Sequence, residues 1–177
     1  EIGIGSLTGT FVSKGIAYNA LMTTQNYARS GNNAFVTGVT YNDTINDDFY
    51  SVGEGIGGRT VEMFQNGAVI ASAMSAQAGG YALASGITGN IEIRFGGAGL
   101  SAAMGVALKL EGANIKIDLV DGNTIQSSAS ATLTLSALHL TLLGIADVSG
   151  IGNGLANTIT GNAGDNVLRG FNGNDLL

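Results

Sequence analysis

Gly152–Leu177 reads GNGLANTIT GNAGDNVLR GFNGNDLL and falls into a nine-residue period. Gly152, Gly161 and Gly170 open the repeats, Asn157, Asn166 and Asp175 hold position six, and Ile159, Leu168 and Leu177 hold position eight. Such a unit is a six-residue glycine-rich turn followed by a three-residue strand. It is too short to bury its one apolar residue alone, so successive units must stack on one another. Stacking brings the side-chain and backbone oxygens of successive turns together, a donor set suited to a hard cation.

The pattern resembles the haemolysin-type RTX repeat, G-G-x-G-x-D-x-U-x. In that family the turns ligate calcium and the large apolar residue points into a parallel β-roll. The resemblance implies Ca2+ as cofactor and Asn157, Asp165, Asn166 and Asp175 as ligand positions. Two features depart from the family pattern. The second glycine is replaced by Asn153, Asn162 and Phe171, and position six is Asp only at Asp175, with Asp165 one place early. The first turns are therefore expected to bind weakly or not at all. The alternative is a metal-free stack in which Asn157 and Asn166 form side-chain amide ladders.

The rest of the chain is consistent with a β-rich protein. Of 177 residues, 45% are apolar and 11% charged, enough material for a core and too apolar for charge-driven disorder. The 29 glycines with no proline indicate tight turns rather than linkers. Without cysteine, neither disulfides nor thiolate metal sites can contribute. A net charge of −6 with only seven scattered Lys and Arg argues against nucleic acid. No long uncharged apolar stretch suggests membrane insertion, and no leader pattern opens the chain. The chain starts inside a strand pattern and stops one residue short of a full nonapeptide, so it is read as part of a longer protein.

Residues 1–33 are expected to form a β-hairpin with its turn near Ser13 to Gly15. Residues 34–113 contain AFVTGVTY, RTVEMFQ, AVIASAM, GYALAS and NIEIRF at the spacing of a β-sandwich. Leu100–Leu110 has the composition of a short helix. Across 114–150, Asp121-Gly122 marks a hairpin, and SASATLTLSALHLTLLGIADV reads as one long ladder. Its Leu133, Leu135, Leu138, Leu140 and Leu142 share a face only with a bulge near Ser136 or Ala137. The expected class is all-β: a β-sandwich followed by a short parallel β-roll over 151–177.

A second oxygen-rich segment precedes the repeats. Counting Asp43 as one, Asp47 falls at five, Phe49 at seven, Ser51 at nine and Glu54 at twelve, the ligand spacing of an EF-hand loop. Ile45 stands where a third oxygen belongs, and Asp48 replaces the turn glycine. The bland reading is a solvated acidic turn. With Gly80 and Tyr81 following, residues 35–120 resemble the carboxypeptidase-regulatory-like, prealbumin-type β-sandwich of surface adhesins, whose acidic loop often binds calcium. The N-terminal segment is similar to the closing strands of a CAP (SCP-like) domain. That family's His and Glu cluster would lie upstream of Glu1.

Nothing supplies catalytic machinery, and no enzyme is expected. His139 is the one histidine, G-x-S-x-G does not occur, and GEGIGG at 53–58 lacks the Lys-Ser/Thr of a phosphate loop. Asp47 and Asp48 are adjacent and would face opposite ways in an extended chain. Tyr18, Tyr27, Tyr41, Phe49 and Tyr50 are candidates for a platform on a surface polysaccharide, and equally for sandwich core. The leading expectation is a calcium-stabilised structural protein of the cell surface or extracellular space, exported by a type I route, and forming homo-oligomers or filaments by β-strand pairing. The rivals are an accessory module of a CAP-domain exoprotein and a carbohydrate-binding module.

Overall fold

The computed structural model describes the backbone of residues 2–13 and 16–27, and residues 34–177 in full. It divides into two units, Glu1–Asn33 and Ala34–Leu177. In the first, β1 (Ile2–Ser13) pairs antiparallel with β2 (Ile16–Tyr27), Ser13 opposite Ile16. A hairpin turning near Ser13 to Gly15 was expected over residues 1–33; residues 14 and 15 lie outside the described residues.

The second unit contains no helix among its described residues and builds two mixed sheets. Its strands are β3 (Ala34–Tyr41), β4 (Arg59–Gln65), β5 (Ala68–Met74), β6 (Gly80–Ser85), β7 (Gly89–Gly97), β8 (Met104–Leu110) and β9 (Ile115–Val120). They continue with β10 (Thr124–Ser127), β11 (Ala131–Leu135), β12 (His139–Leu142), β13 (Ser149–Ile151), β14 (Thr158–Thr160) and β15 (Val167–Arg169). One sheet runs β14-β12-β10-β9-β3-β6 and the other β15-β13-β11-β8-β7-β4-β5. The arrangement is an all-β, sandwich-like pair of layers.

Alternation in the sequence predicts which side chains enter the core. Val61 and Met63 of β4, Ile91, Ile93 and Phe95 of β7, and Ile117 and Leu119 of β9 are buried. Glu92 and Arg94 stand on the outer face, where the Arg94 guanidinium lies 4.0 Å over the Phe64 ring and pairs with Glu92 at 2.7 Å. Turn chemistry holds as well. Asn66-Gly67 (φ 52° and 79°) takes the left-handed conformation that a two-residue hairpin requires, and Asp121-Gly122 (φ 51° and 68°) takes it within the three-residue loop between β9 and β10. Between β3 and β9 the ladder is interrupted at Val39, whose N–H instead donates to the buried Asp118 carboxylate at 2.8 Å.

Two expectations are corrected. The segment expected as a helix at Leu100–Leu110 is mostly strand β8, with Met104, Val106, Leu108 and Leu110 facing the core. Its alternation lets it fill the slot between β7 and β11, and that packing overrides the helix propensity of Ala, Leu and Met. The expected single ladder over SASATLTLSALHLTLLGIADV is two strands, β11 and β12, in opposite sheets. Leu135, at φ 55°, turns the chain from one layer to the other instead of forming a bulge within a strand. Leu133, Leu140 and Leu142 are buried, but Leu135 is exposed.

From β11 onward every strand changes sheet. From β12 each pairs in parallel with the strand two places earlier: β12 with β10, β13 with β11, β14 with β12 and β15 with β13. Ile159 of β14 lies in the same apolar core as Leu140 and Phe95, so the repeats and the sandwich share one interior. Leu140→Ala should therefore destabilise the whole Ala34–Leu177 unit by about 2–5 kcal/mol, read as a lower urea midpoint. Leu135→Ala, at an exposed turn, should cost much less.

Candidate functional site

Two oxygen-rich places were expected, the loop following β3 and the turns of the nonapeptides. The loop begins where β3 ends at the buried Tyr41, whose phenol burial pushes up to about 12, with Asp43 adding to the shift. Hydrogen bonds close the loop on itself and tie it back to the sandwich. Ile56 N–H donates to the Thr40 carbonyl at 2.7 Å and Asn42 N–H to the Glu54 carbonyl at 3.0 Å. Asp43 N–H donates to Asp121 Oδ1 at 2.9 Å, bringing the β9–β10 hairpin alongside.

Within the loop, carboxylates accept main-chain hydrogen bonds. Asp43 takes the N–H of Asp47 at 3.2 Å and that of Asp48 at 2.9 Å, so it bends the next five residues around its own side chain. Asp47 Oδ1 takes the N–H of Phe49 at 3.0 Å. Asn46 and Asp48 have φ of 55° and 61°, so Asp48 adopts the left-handed conformation for which a glycine was expected. Asp47 and Asp48 are therefore not on an extended strand, and the opposite-face argument does not apply to them.

Glu54 does something different. It is buried, its Oε1 accepts from Thr44 N–H at 2.8 Å and Thr44 hydroxyl at 2.9 Å, and its Oε2 accepts from Ser51 N–H at 2.8 Å. The Ser51 N–H, followed by the Thr44 donors, holds this carboxyl below the usual range against the opposing effect of burial. Glu54 thus clamps the two arms of the loop together. Phe49 and Ser51 follow one another along the outer arm, Phe49 with its ring exposed and Ser51 half-buried. Among the described residues, no three His, Cys, Asp or Glu side chains gather tightly enough to make a ready metal cage. The donors are all oxygen, the type a hard cation takes, and Asp43, Asp47 and the main chain at Phe49 lie on one short arc.

The Tyr41 and Tyr50 rings meet in a T-shaped arrangement with centroids 5.8 Å apart, with Tyr41 interior. They do not form an open stacking surface with Phe49. The side chains of Tyr18 and Tyr27 lie outside the described residues.

In the repeats the position-six side chain governs each turn. Asn157 Oδ1 accepts from Asn153 N–H at 2.7 Å, and Asn166 Oδ1 accepts from Asn162 N–H at 2.8 Å. Their amides donate downward, Asn157 Nδ2 to Leu138 O at 3.1 Å and Asn166 Nδ2 to Val148 O at 3.0 Å. The reason for glycine at position one is now plain. A Cβ at Gly152, Gly161 or Gly170 would collide with the side-chain oxygen of Asn157, Asn166 or Asp175.

Residues eighteen apart stack. Asp165 N–H donates to Asp147 Oδ1 at 2.9 Å, and Asn157 N–H to Asp175 Oδ1 at 2.9 Å. Asp165 and Asp175 therefore lie on different turn columns, Asp165 with Asp147 and Asp175 with Asn157.

Sequence reasoning treated Asn153 and Asn162 as mere departures from the second glycine. Asn153 donates to Ala137 O at 2.9 Å and Asn162 to Ala146 O at 2.9 Å, each pinning its turn to the coil beneath. Their nine-residue spacing was the available signal. Asp147 was missed because residues 143–151 carry Leu143 and Gly150 at positions one and eight, which hides a further nonapeptide. Arg59 was also missed. It is buried, donates from Nε to Ala98 O at 3.2 Å, and its Nη1 has no partner among the described residues. Burial lowers its pKa, against the pull of Asp121. His139, set aside at the outset, is half-buried on β12.

No family model matches the chain, and no curated protein matches it.

Two outcomes follow from this geometry. Because the folded Glu54 carboxyl is held below its unfolded value, its contribution is present above about pH 4.3 and is lost as pH falls through the folded value. Glu54→Gln should flatten that part of the melting temperature–pH curve. Asn157→Ala leaves the Asn153 N–H without its acceptor and takes one of two donors from the Leu138 carbonyl, and should cost about 1–3 kcal/mol in a urea titration, in EGTA as well as in calcium.

Proposed function

We propose that the chain is a non-catalytic, calcium-stabilised structural unit of a secreted or cell-surface protein, working in an extracellular assembly such as a filament, surface layer or adhesin stalk. The observation that carries this reading is the eighteen-residue stacking of turns. It sets the Asp147 and Asp165 residues in one column and the Asp175 carboxylate against the main chain of Asn157 in the other.

In this reading the alternating strands from β11 to β15 are a short parallel β-roll of RTX type built onto a prealbumin-type sandwich. Parallel pairing two strands apart and the buried Ile159 support that assignment. Calcium would be held by Asp165 with its column neighbour Asp147, and by Asp175. In the turns of Asn157 and Asn166 the side-chain amides donate to main-chain carbonyls and the side-chain oxygens accept main-chain N–H groups, which favours metal-free rungs there. In the acidic loop the holders would be Asp43, Asp47, the main chain at Phe49 and Ser51, with Glu54 bracing the arc. When bound, the cation supplies charge neutralisation that draws carboxylates together. The chain's own residues supply the fold, because main-chain donors already shape every turn.

A metal that binds only the folded form raises stability by mass action, about 2.7 kcal/mol at a hundred times its dissociation constant. Millimolar calcium should therefore raise the melting temperature above that in EGTA. Asp165→Ala and Asp43→Ala should each remove part of the rise, while magnesium should reproduce little of it. An unchanged melting temperature in calcium sinks the calcium reading of both places.

A further inference from the structure

The two sheets end together on one side of the sandwich. Among the described residues β5 is hydrogen-bonded to β4 alone and β6 to β3 alone, and the short link Ser75–Gly79 sets the two edges against each other. Proteins usually protect such edges with charges, proline or bulges, because an open row of N–H and C=O groups accepts any passing strand. Here Ala68–Met74 and Gly80–Ser85 contain neither charge nor proline. β5 also leaves Val69, Ile70 and Met74 exposed at 48%, 41% and 67%. Its one irregularity is a bulge: Met63 opposes Ala71 and Phe64 opposes Val69, so Ile70 is the extra residue.

We propose that this double edge is a self-association surface whose occupant is the same edge of a second copy, β5 running antiparallel to β5 about a two-fold axis at Ala71. The sequence of β5 is self-complementary in that register. Ala71 falls beside its own copy, Ser72 beside the bulged pair Val69–Ile70, and Ala73 beside Ala68. Every large side chain meets a small one, no like charges meet, and the bulge faces a serine rather than another bulge. A heterologous peptide would satisfy the same backbone groups but would not need this complementarity. Pairing seven residues alone makes a small interface. The two-fold axis also brings the uncharged β6 edge of each copy toward the other in the second layer, extending the contact toward the size a stable dimer needs. The proposal deepens the assembly reading above and rests on it, but it does not involve calcium.

The chain has no cysteine, so single introduced cysteines report cleanly. Partners in an antiparallel pair lie about 4.5–5.5 Å apart between Cα atoms, within disulfide range. Two copies of residue 73 would be roughly 13 Å apart in the same register. On the whole chain in EGTA, Ala71→Cys should give a disulfide-linked dimer under mild oxidation and Ala73→Cys should not. In sedimentation, Ile70→Lys should raise the dimer dissociation constant at least about tenfold, with circular dichroism reporting that the variant is folded.

Self-association of the unaltered chain without the Ala71→Cys cross-link, or undiminished by Ile70→Lys, overturns this surface and leaves assembly to another. A monomer at all concentrations, in EGTA and in calcium alike, overturns both the surface and the assembly reading. A monomer whose β5 amides become protected from hydrogen exchange by an added alternating Val-Thr peptide replaces the second copy with a foreign strand. The cross-link appearing while calcium leaves the melting temperature unchanged upholds the surface and removes only the calcium reading.

Discussion

One apolar interior, closed between two sheets and continuous from Ala34 to Ile159, is the constraint on which the rest depends. Nonapeptide coils are poor at standing alone, since each contributes one large apolar residue and a glycine-rich turn whose unfolded chain is entropically favoured. Here the first coils have a finished wall to build on. β10 and β11 are laid down antiparallel against β9 and β8, and β12 and β13 then add in parallel to them. Gly150 marks the place where the fit is tightest. A side chain there would run into Leu140, Ile159 and Leu168 at once, so the missing apolar residue of that coil is what lets its neighbours converge.

The acidic loop obeys the opposite logic. It encloses no core, and Ile45, Phe49 and Val52 are left in solvent. Its shape comes from carboxylates that accept main-chain N–H groups across short spans, from Asp43 to Asp47 and Asp48 and from Glu54 to Thr44 and Ser51. Such hydrogen bonds to an ionised acceptor are stronger than neutral ones. They also partly neutralise the crowding of negative charge that the segment would otherwise suffer. The same oxygens therefore serve loop geometry first and are only secondarily free for anything brought in from solution.

Legibility in the sequence followed the range of the interaction. Period-two strands and Asn-Gly or Asp-Gly turns are set by neighbours in the chain, and β4, β7, β9 and their hairpins were readable for that reason. The nine-residue repeat was readable because its glycine and its position-six side chain recur together. What escaped was decided by contacts between distant segments. β8 looked like a helix until its neighbours β7 and β11 were in place. The switch of layer at Leu135 rests on one positive φ at a residue that rarely adopts it. Asn153 and Asn162 looked like errors in a consensus because their partners, Ala137 and Ala146, lie sixteen residues away.

The alternation of strands between the two layers also constrains how such a chain can change in length. Each nonapeptide adds a strand to one sheet only, and its turn sits over the turn two units back. Inserting or deleting a single unit would move every later turn to the opposite flank, parting Asp165 from Asp147 and setting it over a turn column of different chemistry. Two units together preserve the flank. The natural step for lengthening or shortening this part of the molecule is therefore eighteen residues, and the heritable unit of the stack is the pair rather than the repeat.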